Sequence, residues 1–504
     1  MNTPDLNFSV VGPLVWVSLG AMVVLLGEVL LSRAKTFFGR TVTTSLVGSL
    51  LAGTSIFFLA MATYMALAHA AMGNATPFDP AHPMFVLDRF SALISGLIAL
   101  AALLSCALSI QYLDELRINH GEYYALVLFS VAGMMLMVCA VDMLPVFLGL
   151  ELMSIPIYVL AGFDRKKLSS NESALKYFLI GSFASAILLY GVALLYGVAG
   201  ATSFAAIRGA FTLTNPLAVA GMGLVIVGFA FKISSVPFHQ WTPDVYEGAP
   251  SAVTAFMSVT VKLAAFAALL RVLALSFEPQ GEALQNVLWV LSALTMVVGN
   301  VMAVIQQNIK RMLAYSSIAH AGYLLMGFVP GTQAGYAAVV FYLICYVFMN
   351  LGAFGVVVVL ANRGRDCENI DSFAGLARTR PGLAALMTLF MISLAGIPGT
   401  AGFMAKWQIF AAAVAAGQVP LAIIGVLTSV VSVYYYLRVP VLMYMREPGE
   451  EAPRMEIGSS EFIVLAVCAF AVLYLGIVPN GWWVFDGLHV LDWARDSVRG
   501  LFAS

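Results

Sequence analysis

Charged side chains are scarce in this sequence. Only 10% of its 504 residues are Asp, Glu, Lys or Arg, while 61% are apolar or aromatic, against roughly 25% charged residues in an average soluble domain. An ordinary soluble protein is therefore excluded, and no polar segment is long enough to fold alone as a soluble domain. The formal net charge of −1 gives no indication of nucleic-acid binding.

Sequence motifs for bound cofactors are missing as well. The five cysteines form no C-x-x-C pair, and the chain contains neither the G-x-G-x-x-G motif of dinucleotide-binding proteins nor the G-x-x-x-x-G-K-[ST] motif of nucleoside triphosphatases. No two histidines stand out at positions typical of haem ligands on facing helices. Four of the cysteines lie in apolar runs, which indicates core packing. We therefore expect neither a cofactor nor a metal ion in this chain.

Long apolar runs, by contrast, are abundant. Each covers about 20 residues, enough to cross a bilayer core of roughly 30 Å, and together they predict about fourteen helices. The predicted fold class is an all-α polytopic membrane protein. The connections on one side carry sixteen basic residues, and those on the other side carry five: Arg89, Arg208, Arg271, Arg495 and Arg499. Because basic residues accumulate on the cytoplasmic side, both termini are predicted to be periplasmic.

Four lysines remain inside the predicted helices: Lys176, Lys232, Lys262 and Lys406. A charge near the middle of the membrane costs about 2.5–3.5 kcal/mol, so such residues usually mark an ion or proton route. Lys176 follows Glu172 by four residues near the start of its helix, which predicts a surface ion pair. The other three are candidate proton carriers, because burial favours the neutral form of an amine.

Two of the apolar runs are interrupted by proline. Pro237 interrupts the seventh run shortly after Lys232, and Pro398 interrupts the twelfth shortly before Lys406. Each break frees backbone carbonyls that cannot face lipid, and broken helices at membrane depth line polar cavities. The two breaks lie five helices apart, and an odd offset predicts two repeats of opposite orientation.

This repeat divides the sequence into four predicted segments. Residues 1–120 hold the first three helices, 121–275 hold helices four to eight as the first inverted repeat, 283–440 hold helices nine to thirteen as the second, and 441–504 hold a C-terminal loop and the last helix. The seventh and twelfth helices are predicted to be discontinuous.

Three further polar residues are candidates for proton transfer. Glu151 has apolar neighbours on both sides, and Lys232 is its natural partner if the fifth and seventh helices pack together. Separating an intramembrane Glu–Lys pair would change the proton affinity of both groups; a static ion pair is the alternative. His239 and His320 are candidate relays because imidazole titrates near neutral pH, whereas a hydrogen-bonded structural role is the alternative for each.

Five stretches carry a resemblance to a known family: EYYALVLFSVAGMMLMVCA, FLGLELMSIPIYVLAGFDRKKLSSNESALKYFLIGSFASAILLYG, FKISSVPFHQWTPDVYEGAP, KRMLAYSSIAHAGY and LAGIPGTAGFMAKW. With them the sequence resembles, over almost its whole length, the antiporter-like membrane subunits of respiratory complex I, a bacterial NADH-quinone oxidoreductase. A lysine at position 406 argues against the subunit M branch, and the lack of a long amphipathic lateral helix argues against subunit L. The resemblance is closest to the subunit N branch.

The resemblance implies an inverted-repeat proton channel driven by quinone chemistry elsewhere in the complex. The family's charged positions on helices five, seven, eight and twelve match Glu151, Lys232, Lys262 and Lys406. NADH, FMN, iron–sulfur clusters and quinone would then be bound by partner subunits. The implied partners are lipid and other membrane-arm subunits, including neighbouring antiporter-like and small membrane subunits, in the bacterial inner membrane. Two alternatives remain: a subunit of a multi-chain Na⁺(cation)/H⁺ antiporter, and a structural membrane scaffold.

Overall fold

Helices make up most of the computed structural model, which describes residues 6–33, 36–37, 40–41, 43–73, 75–277, 281–361, 368–447, 457–480 and 489–503. The first eight helices are α1 (Gly12–Arg33), α2 (Thr44–Met72), α3 (Arg89–Leu116), α4 (Gly121–Val138), α5 (Met143–Ala161), α6 (Leu168–Ala199), α7 (Phe204–Ala210) and α8 (Pro216–Lys232). They are followed by α9 (Trp241–Gly248), α10 (Ser251–Val272), α11 (Gly281–Val304), α12 (Ile309–Phe328) and α13 (Gln333–Leu360). The last six are α14 (Leu376–Thr379), α15 (Pro381–Ala395), α16 (Ala401–Ala415), α17 (Val419–Met445), α18 (Ser459–Ile477) and α19 (Val490–Ala503).

Short non-α elements occur between the helices. Strand β1 (Thr36–Phe37) pairs with β2 (Arg40–Thr41), and β3 (Thr76–Pro77) pairs with β4 (Val86–Leu87), both antiparallel. A π-helical turn at 273–277 extends α10, and a 3₁₀ turn occupies 370–373. The sequence analysis did not anticipate these strands, the short helix α7 or the amphipathic helix α19.

The helices confirm a multi-pass α-helical membrane protein. Within the described residues, eleven helices are long and apolar enough to cross a membrane, and α8, α15 and α16 are shorter apolar helices. Helix α12 is not among the eleven; it carries the polar residues Lys310, Arg311 and His320. The total of fourteen helices therefore stays a prediction.

The chain divides into two compact units. The first comprises 1–232, 260–281 and 496–504; within it α2 packs on α3, α4 on α5, and α6 on α8. The second comprises 233–259 and 282–495; within it α13 packs on α15, α16 and α18, and α9 packs on α12. Both cores are built largely of apolar side chains, and four buried cysteines belong to them as expected: Cys106, Cys139, Cys345 and Cys468. Cys367 lies outside the described residues.

Both predicted helix interruptions are present. Helix α8 ends at Lys232 and α9 begins at Trp241, while α15 ends at Ala395 and α16 begins at Ala401. The first interruption begins earlier than Pro237, where the sequence analysis placed it. Ser234 there has a left-handed φ of 63°, which ends the helical hydrogen-bonding pattern before the proline is reached.

Glycine and hydroxyl groups end these helices. Ser234 Oγ accepts a hydrogen bond from Thr242 Oγ1 at 2.7 Å, so the loop of the first interruption is tied to the first turn of α9. At the second, Gly396 has φ of 85°, and its N–H donates to the carbonyls of Ile392 and Ser393. This is the usual glycine ending of a helix, because glycine adopts the left-handed conformation without strain.

Candidate functional site

Lys232 lies between two tyrosine rings. It is the last residue of α8 and is 2% exposed. Its Nζ atom lies 5.4 Å from the ring centroid of Tyr158 on α5 and 5.3 Å from that of Tyr177 on α6. The two rings meet edge to face with centroids 4.7 Å apart. Aromatic faces attract a cation by roughly 0.5–2 kcal/mol each, so both rings stabilise the charged ammonium within the protein.

The position of Tyr158 depends on a glycine. A Cβ atom at Gly181 would lie 2.2 Å from the Tyr158 hydroxyl, so only the bare backbone of α6 lets this side chain approach. Sequence reasoning missed Tyr158 and Tyr177 because aromatic residues are ordinary in membrane helices. A usable signal was the spacing of Glu151, Ser154 and Tyr158, since residues at i, i+3 and i+7 share one helix face.

Glu151 lies near Lys232 but does not contact it. The charge of Glu151 acts on the Lys232 ammonium, yet no nitrogen–oxygen distance of 4.0 Å or less joins the two side chains in the described part of the chain. The Oε1 atom of Glu151 is buried without a hydrogen-bond partner. A buried carboxylate oxygen without a partner is costly, and among the described residues the predicted ion pair with Lys232 is not formed in this structure.

Lys262 is enclosed by protein. It lies in the middle of α10, which is buried along its whole length, and its side chain is 2% exposed. The neighbouring hydroxyl residues Ser258 and Thr260 are fully buried as well. Lys262 is therefore kept away from lipid and bulk water, which is the environment that the sequence analysis expected for it.

Lys406 forms a hydrogen bond with the C-terminal end of α15, the helix that precedes it. Its Nζ atom donates hydrogen bonds to the Ala395 carbonyl at 2.9 Å and to Ser429 Oγ at 2.8 Å, and it lies 5.0 Å from the centroid of the Tyr323 ring. Ala395 is the last residue of α15. The last carbonyls of a helix have no partner within the helix and carry partial negative charge, so the Lys406 ammonium satisfies one of them directly.

Gly402 allows helices α15 and α16 to approach each other closely. A Cβ atom at Gly402 would lie 1.8 Å from the Ser393 carbonyl oxygen, while the Gly402 N–H donates to Ser393 Oγ at 3.2 Å. The structure shows that the backbone of α15 occupies the space that a side chain would need.

His320 is hydrogen-bonded through both ring nitrogens. Nδ1 lies 2.5 Å from the Tyr342 hydroxyl and Nε2 lies 3.0 Å from the Tyr436 hydroxyl, which also bonds to Ser316. A neutral imidazole has one donor and one acceptor nitrogen, and both are needed to pass a proton through the ring. Helices α12, α13 and α17 thus supply a connected row of hydroxyl and imidazole groups.

Tyr323 contacts both His320 and Lys406. Its ring centroid lies 6.0 Å from that of His320 and 5.0 Å from the Lys406 ammonium. Its hydroxyl accepts from Asn300 Nδ2 at 3.1 Å and donates to Thr428 Oγ1 at 3.4 Å. Polar groups therefore continue from His320 to the neighbourhood of Lys406 inside the second unit.

The remaining residues named in the sequence analysis are His239 and Lys176, and Arg311 forms two further ion pairs. His239 lies half-buried in the first interruption, and its Nδ1 atom is buried without a hydrogen-bond partner. Arg311 binds Asp244 at 2.8 Å and Glu247 at 2.7 Å. Lys176 pairs with exposed Glu172 at 2.7 Å, which confirms the predicted surface ion pair. These contacts give Lys176 a structural role.

Three potential metal ligands meet near the N-terminus of α4. One ligand atom each of Glu28, His120 and Glu122 lies within 4.8 Å of the others. The Glu28 carboxylate accepts the N–H of Gly121 at 2.9 Å. A carboxylate at the positive end of a helix is stabilising without any metal, so these contacts assign Glu28 a structural role joining α1 to α4.

Comparisons with known proteins extend over nearly the whole chain. The profile of the family described as NADH:quinone oxidoreductase/Mrp antiporter, TM matches residues 140–432. NADH-quinone oxidoreductase subunit N from Trichlorobacter lovleyi is 46% identical over 499 residues, covering 98% of this chain and 97% of the relative.

Solved structures share the fold. A chain of respiratory complex I from Thermus thermophilus with bound aureothin has a TM-score of 0.75 at 33% identity, covering 92% of this chain and 97% of that chain. A chain of the Mrp complex from Dietzia sp. DQ12-45-1b has a TM-score of 0.80 at 22% identity, covering 96% and 97%. At that lower identity the second likeness concerns the fold alone.

The hydroxyl of Tyr436 generates a stability prediction. Tyr436→Phe removes the partner of His320 Nε2 and of Ser316, and leaving a buried polar group unsatisfied costs about 1–3 kcal/mol. We expect a lower midpoint in a thermal unfolding scan of the purified assembly. Tyr434→Phe is the matched control, because Tyr434 on the same helix is 64% exposed. Equal midpoints for the two variants would contradict a structural contribution of this hydroxyl.

Proposed function

The chain belongs to the subunit N family of NADH-quinone oxidoreductases, and we propose that it works as a proton-translocating membrane subunit of respiratory complex I. The supporting observation is the set of buried lysines within polar and aromatic contacts, on a chain that matches subunit N along its length. NADH, FMN, iron–sulfur clusters and quinone are then bound by other subunits. The energy of quinone reduction reaches this chain through its membrane-arm neighbours.

The proposed proton carriers are the three buried lysines. Lys232 and Glu151 act as a pair whose separation changes with the state of the site, Lys262 is the central carrier, and Lys406 serves the periplasmic exit. His320 relays within the second unit through the hydroxyls of Tyr342 and Tyr436. His239 relays at the first interruption, where its Nδ1 atom is buried without a hydrogen-bond partner.

We also propose the inverted repeat, with fourteen helices and segments as predicted from the sequence. Two similar contacts support it: Lys232 of one interrupted helix lies over Tyr158, and Lys406 of the other lies over Tyr323. Polar residues precede both tyrosines by seven positions, Glu151 on α5 and Ser316 on α12. In this topology both termini face the periplasm and the protein lies in the bacterial inner membrane, in keeping with the distribution of basic residues.

A second candidate function is a subunit of a cation/proton antiporter. Its support is the matching family description, which includes Mrp antiporters, and the shared fold with the Mrp complex. Both functions need buried titratable groups, so the site alone favours neither. The 46% identity to a subunit N over 98% of the chain favours the first.

The native assembly distinguishes these candidates. We expect the tagged chain, purified from its native membrane, to carry NADH dehydrogenase activity with flavin and iron–sulfur clusters. The chain expressed alone should oxidise no NADH, because it lacks the motifs for redox cofactors. Robust Na⁺/H⁺ exchange by the isolated chain in liposomes, together with purification free of flavin subunits, would favour the antiporter.

Replacing Lys262 tests the central carrier. Lys262→Arg keeps the charge but cannot release its proton, because guanidinium stays protonated; Lys262→Ala removes the titrating group. We expect both variants to lower proton pumping and coupled quinone reduction by about tenfold or more, the effect of a barrier raised by roughly 1.4 kcal/mol. Lys176→Arg is the matched control on an exposed lysine. Pumping by Lys262→Arg at the parental rate, in a fully assembled complex, would exclude simple proton release here.

Replacing Glu151 tests the pair with Lys232. Glu151→Gln keeps the size of the side chain but removes its negative charge, so the proton affinity of Lys232 can no longer be varied by approach of the carboxylate. We expect coupled activity to fall severalfold while the complex stays intact, measured as pumping and NADH:quinone turnover in vesicles. Glu172→Gln, on the exposed partner of Lys176, is the control. Normal turnover and pumping in Glu151→Gln would disprove this role.

A further inference from the structure

A buried amide lies among the hydroxyl groups of the second unit. It belongs to Asn300 on α11, which is fully buried. The backbones of α11 and α12 come very close here, because a Cβ atom at Gly299 would lie 2.6 Å from the backbone nitrogen of Ala319. This close approach places the Asn300 side chain against Tyr323 of α12, the residue whose ring faces the Lys406 ammonium.

The backbone of α11 fixes which way the Asn300 amide points. Its Nδ2 atom lies 2.7 Å from the carbonyl oxygen of Met296, one turn earlier on the helix. A carbonyl oxygen can only accept a hydrogen bond, so the nitrogen of the amide must face it. The second N–H then donates to the Tyr323 hydroxyl at 3.1 Å, and Oδ1 accepts from the Tyr435 hydroxyl at 3.1 Å.

Both tyrosine hydroxyls are thereby held in one donor direction. Tyr435 donates to an amide oxygen, which has no hydrogen to give back. Tyr323 accepts from the amide nitrogen and donates its own hydrogen to Thr428 Oγ1 at 3.4 Å, and Thr428 donates to the Ile424 carbonyl at 2.8 Å. The hydrogen bonds of this row all run from Tyr435 towards Thr428, and they end on a backbone acceptor.

The two ends of the row lie beside the proposed relay and exit groups. At one end Tyr435 packs on Tyr436, with ring centroids 4.4 Å apart, and the Tyr436 hydroxyl bonds to His320 Nε2 at 3.0 Å. At the other end Ser429, next in sequence to the last hydroxyl, accepts from Lys406 Nζ at 2.8 Å. A row of hydroxyls alone would connect these two groups, and the buried amide interrupts it.

An amide interrupts such a row because it does not exchange protons. To pass a proton along, each group accepts a proton on one atom and releases another to the next group. Hydroxyl, imidazole, carboxyl and amine groups can do both. A carboxamide stays neutral at physiological pH and neither takes up nor releases a proton.

We propose that Asn300 is a positioning residue that holds Tyr323 in its present orientation and keeps protons from passing between His320 and Lys406 until this contact opens. The inference rests on the proposed roles of His320 and Lys406 and adds a barrier between them. A permanent connection between a relay and an exit would let protons flow back across the membrane. A barrier ties their transfer to a movement of the protein, as alternating access requires.

Removing the Tyr323 hydroxyl tests whether it carries protons. We expect Tyr323→Phe to pump at close to the parental rate, because the ring remains and the hydroxyl is no relay. Tyr342→Phe removes a proposed relay group and should lower pumping. Both are measured as proton pumping and NADH:quinone turnover in vesicles that hold the complete assembly, after its subunit composition has been checked.

The two possible failures give different results. If Tyr323→Phe lowered pumping as far as Tyr342→Phe, its hydroxyl would be a relay and the barrier would be disproved while the His320 relay stood. Parental pumping by both variants would disprove the His320 relay, and the barrier that depends on it would be overturned with it.

Replacing the amide tests the barrier directly. Asn300→Asp puts an exchangeable carboxyl group into the row, whereas Asn300→Leu removes the hydrogen bonds without adding such a group. Asn286→Asp makes the same chemical change at an exposed position of α11. A pH difference is imposed across vesicles that hold the complete assembly, and its decay is followed with a pH-sensitive dye. No NADH is added, so the readout does not depend on pumping.

We expect Asn300→Asp to speed the decay by about tenfold, the effect of a barrier lowered by roughly 1.4 kcal/mol, and both other variants to match the parent. A leak of equal size in Asn300→Leu would assign the effect to damaged packing. Parental decay in Asn300→Asp would show that the amide is no barrier. Either result would overturn the proposal.

Discussion

The bilayer core offers no water to bind polar groups, and each buried charge or free backbone group must find its partner within the protein. The interrupted helices of this chain depend on that constraint. Where α15 ends, its last carbonyl accepts a hydrogen bond from the Lys406 ammonium. The unpaired carbonyl and the buried charge are each costly, and here they satisfy each other. A lysine inside an apolar helix and a broken helix are each unfavourable alone, and together they form a stable polar site.

The two units meet this constraint with different partners. Lys406 donates to a carbonyl and a hydroxyl at hydrogen-bonding distance and also faces the Tyr323 ring. Lys232 has two tyrosine rings at 5.3–5.4 Å, and within the described residues it forms no ion pair with Glu151. Cation–ring contacts are less directional than hydrogen bonds. Lys232 can therefore change its position at lower cost than Lys406, which suits a group that approaches and leaves Glu151.

The polar network around His320 shows why a relay and a structural role are compatible. The hydrogen bonds to Tyr342 and Tyr436 hold the imidazole in a fixed orientation. A fixed orientation also keeps the distances short enough for a proton to pass, because transfer requires hydrogen-bonding contact at both nitrogens. The same contacts thus stabilise the fold and hold the imidazole in the geometry that the proposed relay requires.

Much of this protein could be predicted from local sequence alone. Apolar runs determine the membrane helices, and the prolines at 237 and 398 mark both interruptions, because a missing N–H acts on the helix that contains it. The lysines inside apolar runs stand out for the same reason. Even so, α8 ends at Lys232 and not at Pro237, since the left-handed Ser234 and its bond to Thr242 depend on the folded loop.

The sequence by itself determined the class of protein, the positions of its charged residues in the helices and the family. Only the tertiary structure decided which groups those residues meet. Tyr158 and Tyr177 surround Lys232 although they lie more than fifty residues away in the chain, and Gly181 matters only because a tyrosine hydroxyl packs against it. Hydropathy and proline act through neighbouring residues, whereas ring contacts and close helix approach arise from the packing of distant helices.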